Sequence, residues 1–267
     1  MRPRLRATGC SAMTTAHLCA TTHTGVVRSG NEDAYAGTGL LVSRVDGEVV
    51  SVSVARFPIL AVVADGLGGH ASGNIASALA VAHVFAAKPG DGAALVNAVH
   101  NANQVIVDAM RLKPTSRGMG STIAAVLLHA KGLAVVNVGD SPVLELIGER
   151  VVQLSIDDVA PDGGLPGVRS FALTQALGGQ HTLRNITPHL YEDQVEEHRR
   201  ILLCTDGLTN FVPRRAIVDA LRREDPRLAV GGLLQLALES GGADNVTCML
   251  VDVGQLPAPQ PVDAADR

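Results

Sequence analysis

The order of apolar patterns along the chain predicts an α+β fold. Two observations carry this. Short runs rich in Val, Ile and Leu, several of them meeting an Asp beside a Gly, recur through the sequence, and helical spacing is confined to one adjacent pair of segments in the first half and another near the end. Strands segregated from helix pairs in this way point to α+β and not to alternating βαβ units.

Taken in order, ILAVVAD (59–65) is the first clear strand, since five to seven such residues bounded by turn residues are a strand signal. Two helices follow. In 73–87 the residues Ile75, Ala78, Leu79, Ala82 and Phe85 share one face, and in 91–110 Leu95, Ala98, Val99, Ala102, Val105, Ile106 and Ala109 do the same. STIAAVLLH and GLAVVNVGD, separated by a short Ala-Lys turn, read as a β-hairpin. ILLCTD (201–206) is a further strand. PRRAIVDALRRE and PRLAVGGLLQLALES form the later helix pair, each opened by Pro. NVTCMLVDV (245–253) is the closing strand. No internal repeat and no linker-like change in composition occurs before residue 254, so one domain is expected over 14–253, with 1–13 and the Pro- and Ala-rich 254–267 disordered.

Composition excludes several function classes. The 267 residues are 46% hydrophobic, yet aromatics are only 2%, with two Tyr, four Phe and no Trp. Single-stranded nucleic-acid binding relies on aromatic stacking, which this chain can hardly supply. The 22 basic and 26 acidic residues give −4, so no cationic face drives binding to a phosphate backbone. The cysteines (Cys10, Cys19, Cys204, Cys248) form no C-x-x-C pair, which argues against a zinc knuckle or a thioredoxin motif. Cys204 and Cys248 sit in apolar runs and read as buried, reduced thiols, in keeping with a cytoplasmic location. The basic MRPRLRATGC lacks the apolar core of a signal peptide, and no apolar stretch is long enough to cross a membrane.

The chemistry lies in the Asp-Gly pairs at strand ends. Gly lets the backbone turn tightly and approach a ligand. Carboxylates brought together repel, and protons or cations must offset that repulsion. Hard oxygen donors without His–Cys partners suit Mg²⁺ or Mn²⁺. A single Asp of this kind would as easily cap a turn, but four at corresponding places make a shared site the better reading. Other phosphate chemistries fail on spacing. No Cys is followed six residues later by Arg, there is no D-x-D pair, and Gly139-Asp140 is not followed by the His of a Gly-Asp-x-His signature. A G-x-x-x-x-G-K-[ST] loop and a G-x-S-x-G elbow are also lacking.

The ordered set RSGNEDAYAG, AVVADGLGGHASGNIASALA, MGSTIAAVLL, VVNVGDS, LTQALGG, ILLCTDGLTNFV and GGADNVTCMLV, spanning about 24–253, resembles the bacterial metal-dependent serine/threonine phosphatases of the PPM family, type 2C. The resemblance implies a four-layer α-β-β-α sandwich of two antiparallel sheets flanked by helix pairs, with two Mn²⁺ or Mg²⁺ ions in a cleft at one end. It implies Glu32, Asp65, the carbonyl of Gly66, Asp206 and Asp244 as metal ligands, with Asp65 bridging. Asp33 would hold a metal-bound water, and Arg28 would clamp the substrate phosphate with its two-pronged guanidinium. Asn245 would orient Asp244, while Gly139 and Asp140 would brace the site. The implied reaction is hydrolysis of phosphoserine and phosphothreonine in proteins by a hydroxide bridging two ions, with no phosphoenzyme.

Four departures limit that carry-over. Pro142 and Gln175 stand where many members have Arg. KPTSRGMGST has no acid ahead of its Met-Gly block, which argues against a third ion. The flap over 154–173 is short and rich in Gly and Pro. The general acid stays open between His70 and a metal-bound water, because Leu67 stands where the eukaryotic branch has His. The expected partners are phosphoproteins and a cognate Ser/Thr kinase, with no nucleic acid or membrane and a monomeric state. The alternative is a degenerate phosphatase that binds phosphoproteins or regulates a partner without turnover.

Overall fold

Most of the strong apolar runs are strands covered on both faces, which is why they read as continuous and not alternating. The computed structural model describes residues 14–43, 45–68, 72–160, 172–179, 185–194 and 198–255. The N-terminal and C-terminal segments expected to be disordered lie, up to residue 13 and from residue 256, outside the described residues, as does His70.

Along the chain run β1 (Thr14–His23), β2 (Ala34–Gly37), β3 (Val50–Val54), β4 (Ile59–Ala64) and the two-residue β5 (Gly66–Leu67), followed by helices α1 (Gly73–Ala86) and α2 (Gly92–Leu112). Next come β6 (Gly120–Ser121), β7 (Ile123–His129), β8 (Gly132–Val138), β9 (Val143–Ile147), β10 (Arg150–Gln153), β11 (Leu177–Gly178), β12 (His189–Asp193) and β13 (Arg199–Cys204). The helices α3 (Asp206–Thr209), α4 (Arg214–Leu221) and α5 (Pro226–Glu239) precede β14 (Val246–Gln255).

Two antiparallel sheets face each other, ordered β10-β9-β13-β14-β1-β3 and β12-β8-β7-β4-β2, with a small third sheet β11-β6-β5 at the edge of the site. Successive strand side chains point to opposite faces. In β4, Ile59, Ala61 and Val63 therefore enter the core between the sheets, against Leu18, Val126, Leu203 and Met249. Leu60, Val62 and Ala64 enter the layer under α1 and α2, against Val84, Leu95 and Ile106. On the other side Leu202, Cys204, Cys248 and Leu250 pack beneath α4 and α5. The four layers are those the sequence reading expected. Cys19, Cys204 and Cys248 are free, buried thiols, and burial pushes Cys19 up to about 11 and the other two upward as well.

The β7–β8 hairpin forms as expected, with His129 opposite Gly132. Both helix pairs are present, and Asp91 and Asp225 cap α2 and α5 by accepting from the amides of Ala94 and Arg227, each at 2.8 Å. Three expectations are corrected. The buried side of α1 is Ala76, Ser77, Ala80, Val81 and Val84; Ile75, Leu79 and Phe85 are only partly buried, and Ala78 and Ala82 are exposed. This helix is apolar nearly all round, so spacing selects no single face. Ser77 turns inward because its hydroxyl donates to the carbonyl of Glu32 at 2.5 Å. The short helix α3 went unforeseen, being too brief for periodicity to reveal. Finally, β14 continues to Gln255, two residues past the expected end, because it pairs with β1 along its whole length.

Candidate active site

The first acidic block lies in the loop between β1 and β2, and the Asn245 side chain ties that loop at three points. Asn245 donates from Nδ2 to the carbonyls of Thr24 (2.8 Å) and Gly30 (3.0 Å), and its Oδ1 accepts from the amide of Glu32 (2.8 Å). Its own backbone amide donates to Asp244 Oδ1 at 2.8 Å. Asn245 thus orients Asp244 through its backbone, as expected, but its side chain serves the Arg28–Asp33 loop. The loop comes so close that a Cβ on Gly25, at φ +81°, would strike the carbonyl oxygen of Asp244.

Asp65 follows β4. Its amide donates to Thr122 Oγ1 (2.9 Å), and its carbonyl accepts from the Thr122 amide and the Ser121 hydroxyl, both at 2.9 Å. Thr122 also shares a 2.6 Å bond with Ser141. The Met-Gly-Ser-Thr and Gly-Asp-Ser blocks therefore meet behind one peptide and fix its direction. At Gly66 a Cβ would run into the backbone of Gly73 and the carbonyl of Glu32, so only glycine lets these three segments converge.

Asp206 opens α3 and accepts from Asn210 Nδ2 at 2.8 Å. Asp244 Oδ2 accepts from Arg28 Nη2 at 2.7 Å, a pair whose Arg side chain is 54% exposed. Its hydrogen bond to Asp244 holds the Arg28 guanidinium still more firmly in its charged form. Asp33 lies beneath. Its Oδ2 accepts from Thr205 Oγ1 (2.9 Å) and Thr247 Oγ1 (2.7 Å), and its buried Oδ1 has no hydrogen-bond partner among the described residues. Thr247 is itself reached by Thr22, which accepts from Asn31.

Arg28, Glu32, Asp65, Gly66, Asp206, Asp244 and Asn245 line one cleft of about 250 Å³. The six residues expected to bind metal or phosphate, drawn from positions 216 apart in sequence at the extreme, are thus brought together, and Asp33 sits behind them. Asp140, expected only as a brace, lines the cleft as well. Among the described residues no three acidic, His or Cys side chains stand close enough to hold a metal ion as they are placed, so the carboxylates are acidic walls around a common space. Larger cavities lie elsewhere, but the one of about 730 Å³ beside His17 and His198 contains none of these carboxylates.

Crowding and desolvation shape the electrostatics. Burial, aided by neighbouring Asp206 and Asp244 and opposed by the two threonine bonds, pushes Asp33 up to about 7. Burial raises Asp65 well above the usual carboxylate range, and Asp33, Asp206, Asp140 and Asp244 add to it. Asp206 is raised by burial and by Asp244, less so because it hydrogen-bonds to Asp65 and Asn210 and feels Arg28. Asp140 is pushed to about 7, chiefly by burial and then by Asp206. Such a site attracts protons or cations.

Sequence reasoning missed Thr205, Thr247, Ser121 and Thr122. All four are hydroxyl residues at the ends of otherwise apolar strands, beside the acidic motifs, but their partners lie far off in sequence. Gln175, noted as a departure, donates to Asp158 Oδ1 at 2.7 Å, and Asp158 Oδ2 accepts from the Gly139 amide at 2.8 Å. Gln175 thus braces the Gly139–Asp140 turn through one carboxylate. The flap stems are joined by Val159 opposite Leu173 and by the Ala160 amide donating to Ala172 (2.7 Å), while residues 161–171 lie outside the described residues.

A family model described as protein phosphatase 2C matches residues 49–230. The serine/threonine protein phosphatase PstP of Mycobacterium tuberculosis is 32% identical over 246 residues, covering 86% of this chain and 43% of PstP, so the chain spans less than half the length of that relative. The serine/threonine phosphatase stp of Listeria welshimeri is 27% identical over 215 residues, covering 72% of this chain and 84% of that protein. The crystal structure of the catalytic domain of PstP in complex with two manganese ions superposes with a TM-score of 0.73 at 29% identity, covering 90% of this chain and 99% of that one.

Proposed function

The chain belongs to the protein phosphatase 2C family, and on that premise we propose that it hydrolyses phosphoserine and phosphothreonine in proteins with two divalent ions. The observation that carries the reading is the meeting of Glu32, Asp65, Asp206 and Asp244 with Arg28 in one cleft. Its relatives are named as serine/threonine protein phosphatases, which supports the substrate class; a Ser/Thr kinase is the matching source of such substrates.

The donor set fits hard divalent cations. It offers carboxylate oxygens and the Gly66 carbonyl, no thiolate or imidazole lines the cleft among the described residues, and the buried Oδ1 of Asp33 faces no protein donor. Glu32, Asp65, Gly66, Asp206 and Asp244 would hold the ions. Bound there, Mn²⁺ or Mg²⁺ would supply positive charge for phosphate oxygens and acidify water at the site.

This chain's own residues do the rest. Arg28 uses Nη2 on Asp244, and its exposed guanidinium leaves N–H groups to receive phosphate oxygens. Asp33, held by two hydroxyls, is oriented to accept a hydrogen bond from water at its remaining oxygen. The described lining contains no Ser, Thr or Cys that could serve as a hydroxyl or thiol nucleophile. Among the described residues no helix is long and apolar enough to cross a membrane.

Hydrolysis of p-nitrophenyl phosphate should require added Mn²⁺, stop with a chelator, and fall at least ~100-fold in Asp206→Asn, the size of loss seen when transition-state charge stabilisation is removed. Activity that survives chelation, or persists in that variant, refutes the metal mechanism. No turnover at all would instead favour a non-catalytic binding role.

A further inference from the structure

A second groove of about 610 Å³ adjoins the catalytic cleft and shares Asp140 and Asp206 with it. One wall is the segment that follows Asp206. Val212 is buried and anchors it, while Phe211 beside it is 39% exposed. The opposite wall is the flap stem, where Val159 is 37% exposed, and Leu144 lies between. Large apolar side chains left half-exposed on two facing walls of a concavity are the usual lining of a binding site.

The polar residues of this groove are largely paired with each other. Gln153 accepts from Arg214 Nη2 at 3.1 Å and donates to Asp157 Oδ1 at 2.6 Å, so one amide ties the groove's cation to its outer carboxylate. Beside these polar groups, Phe211 and Val159 offer a ligand exposed apolar surface. The groove is also continuous with the place where phosphate is processed. A groove of this volume is roughly 8 Å across, and an extended peptide advances ~3.3 Å per residue. A segment whose phosphorylated residue enters the cleft therefore brings the side chain two or three residues away over Phe211.

We propose that this groove seats an apolar side chain two or three residues from the phosphorylated Ser or Thr of a phosphoprotein, with Phe211 and Val159 as the specificity-determining contacts. The inference rests on the phosphatase reading above and adds to it a preference for sequence context.

The test pairs wild-type protein with two phosphopeptides that differ only in Leu against Gly at the positions flanking the phosphothreonine by two and three residues. Burying a Leu in such a groove gives roughly 10- to 200-fold in kcat/KM, so a preference of at least ~10-fold is expected. It should shrink to less than ~2-fold in Phe211→Ser, and Val159→Ser measures the same coupling from the opposite wall should the first variant fail to fold. A p-nitrophenyl phosphate assay on wild type separates the two levels. Without Mn²⁺-dependent turnover there, the phosphatase reading itself falls. With it, equal rates on the two peptides, or a Leu preference undiminished in both variants, overturns the groove.

Discussion

Asn245→Ala tests the central claim about how the site is assembled. Asn245 is 6% exposed and makes three side-chain hydrogen bonds, to Thr24, Gly30 and Glu32, at 2.8 to 3.0 Å. A net value of about 1 kcal/mol per bond gives a loss of about 3 kcal/mol, before any cost of leaving two carbonyls and an amide unpaired. For a domain of this size that corresponds to roughly 6–12 °C in Tm. A functional loss should accompany the loss of stability, because the released loop carries Arg28, Glu32 and Asp33. Thermal unfolding in chelator measures the first. The Mn²⁺ concentration giving half-maximal p-nitrophenyl phosphate hydrolysis measures the second, and it should rise at least ~10-fold, an amount equivalent to about 1.4 kcal/mol. A variant that unfolds within ~2 °C of wild type and keeps the same Mn²⁺ dependence would show that the remaining tethers, such as the Val26 amide on the Gly242 carbonyl (2.8 Å), suffice.

Gly66→Ala should both destabilise and inactivate, since its methyl meets the backbone of Gly73 and Glu32 and no flexible side chain can yield; overpacking of this kind costs about 1–3 kcal/mol, and wild-type Tm and activity would contradict it. Arg199 is 7% exposed and donates to both oxygens of buried Glu145 at 2.6 and 2.7 Å. Arg199→Met should cost about 3–5 kcal/mol by stranding that carboxylate, while Arg199→Met with Glu145→Leu should recover most of it in urea unfolding; a double variant as unstable as the single one speaks against the argument. Chelated protein should lose stability as pH rises from about 4 to 7. Asp33 and Asp140 have folded values of about 7, above the ordinary 3.8, so the folded state binds more protons between those values. Their stabilising contribution is complete below the ordinary value and disappears as pH climbs through the folded one, at about 1.4 kcal/mol per group per unit. Saturating Mn²⁺ should flatten the trend, and a Tm in chelator that is level or rising over that range counts against it.

The layers and the cleft were legible for different reasons. ILAVVA and ILLC could be read as strands because apolar neighbours on both faces leave no polar position to confuse the pattern, and the helix pairs follow from spacing and from the Pro and Asp at their starts. Glu32, Asp65, Asp206 and Asp244 could be found because a carboxylate beside a Gly at a strand end is locally distinctive. The orientation of α1 was not legible, because Ala at most positions erases the contrast that selects a face. Nor was the part played by Thr205 and Thr247. Their hydroxyls meet Asp33 across 172 and 214 residues of sequence, and only the register of β13 against β14 puts them there.

That register also explains how the fold tolerates a site working against its own stability. Five carboxylates with crowded or sealed environments end on the rim of a sandwich whose two sheets are each closed off by helices, so the repulsion cannot be relieved by sliding a strand. Moving β13 or β14 by one residue would turn Leu203 and Met249 out of the inter-sheet core and into the helix layer. Two of the local devices are backbone clamps, Thr122 on Asp65 and Asn245 on the Glu32 loop, while the Thr205–Thr247 pair holds the side-chain carboxylate of Asp33. The backbone clamps fix where Asp65 and Glu32 start and leave both residues lining the cleft. The core thereby supplies rigidity, the clamps supply direction, and the unrelieved negative charge becomes the affinity that draws cations and, with Arg28, a phosphate to one point.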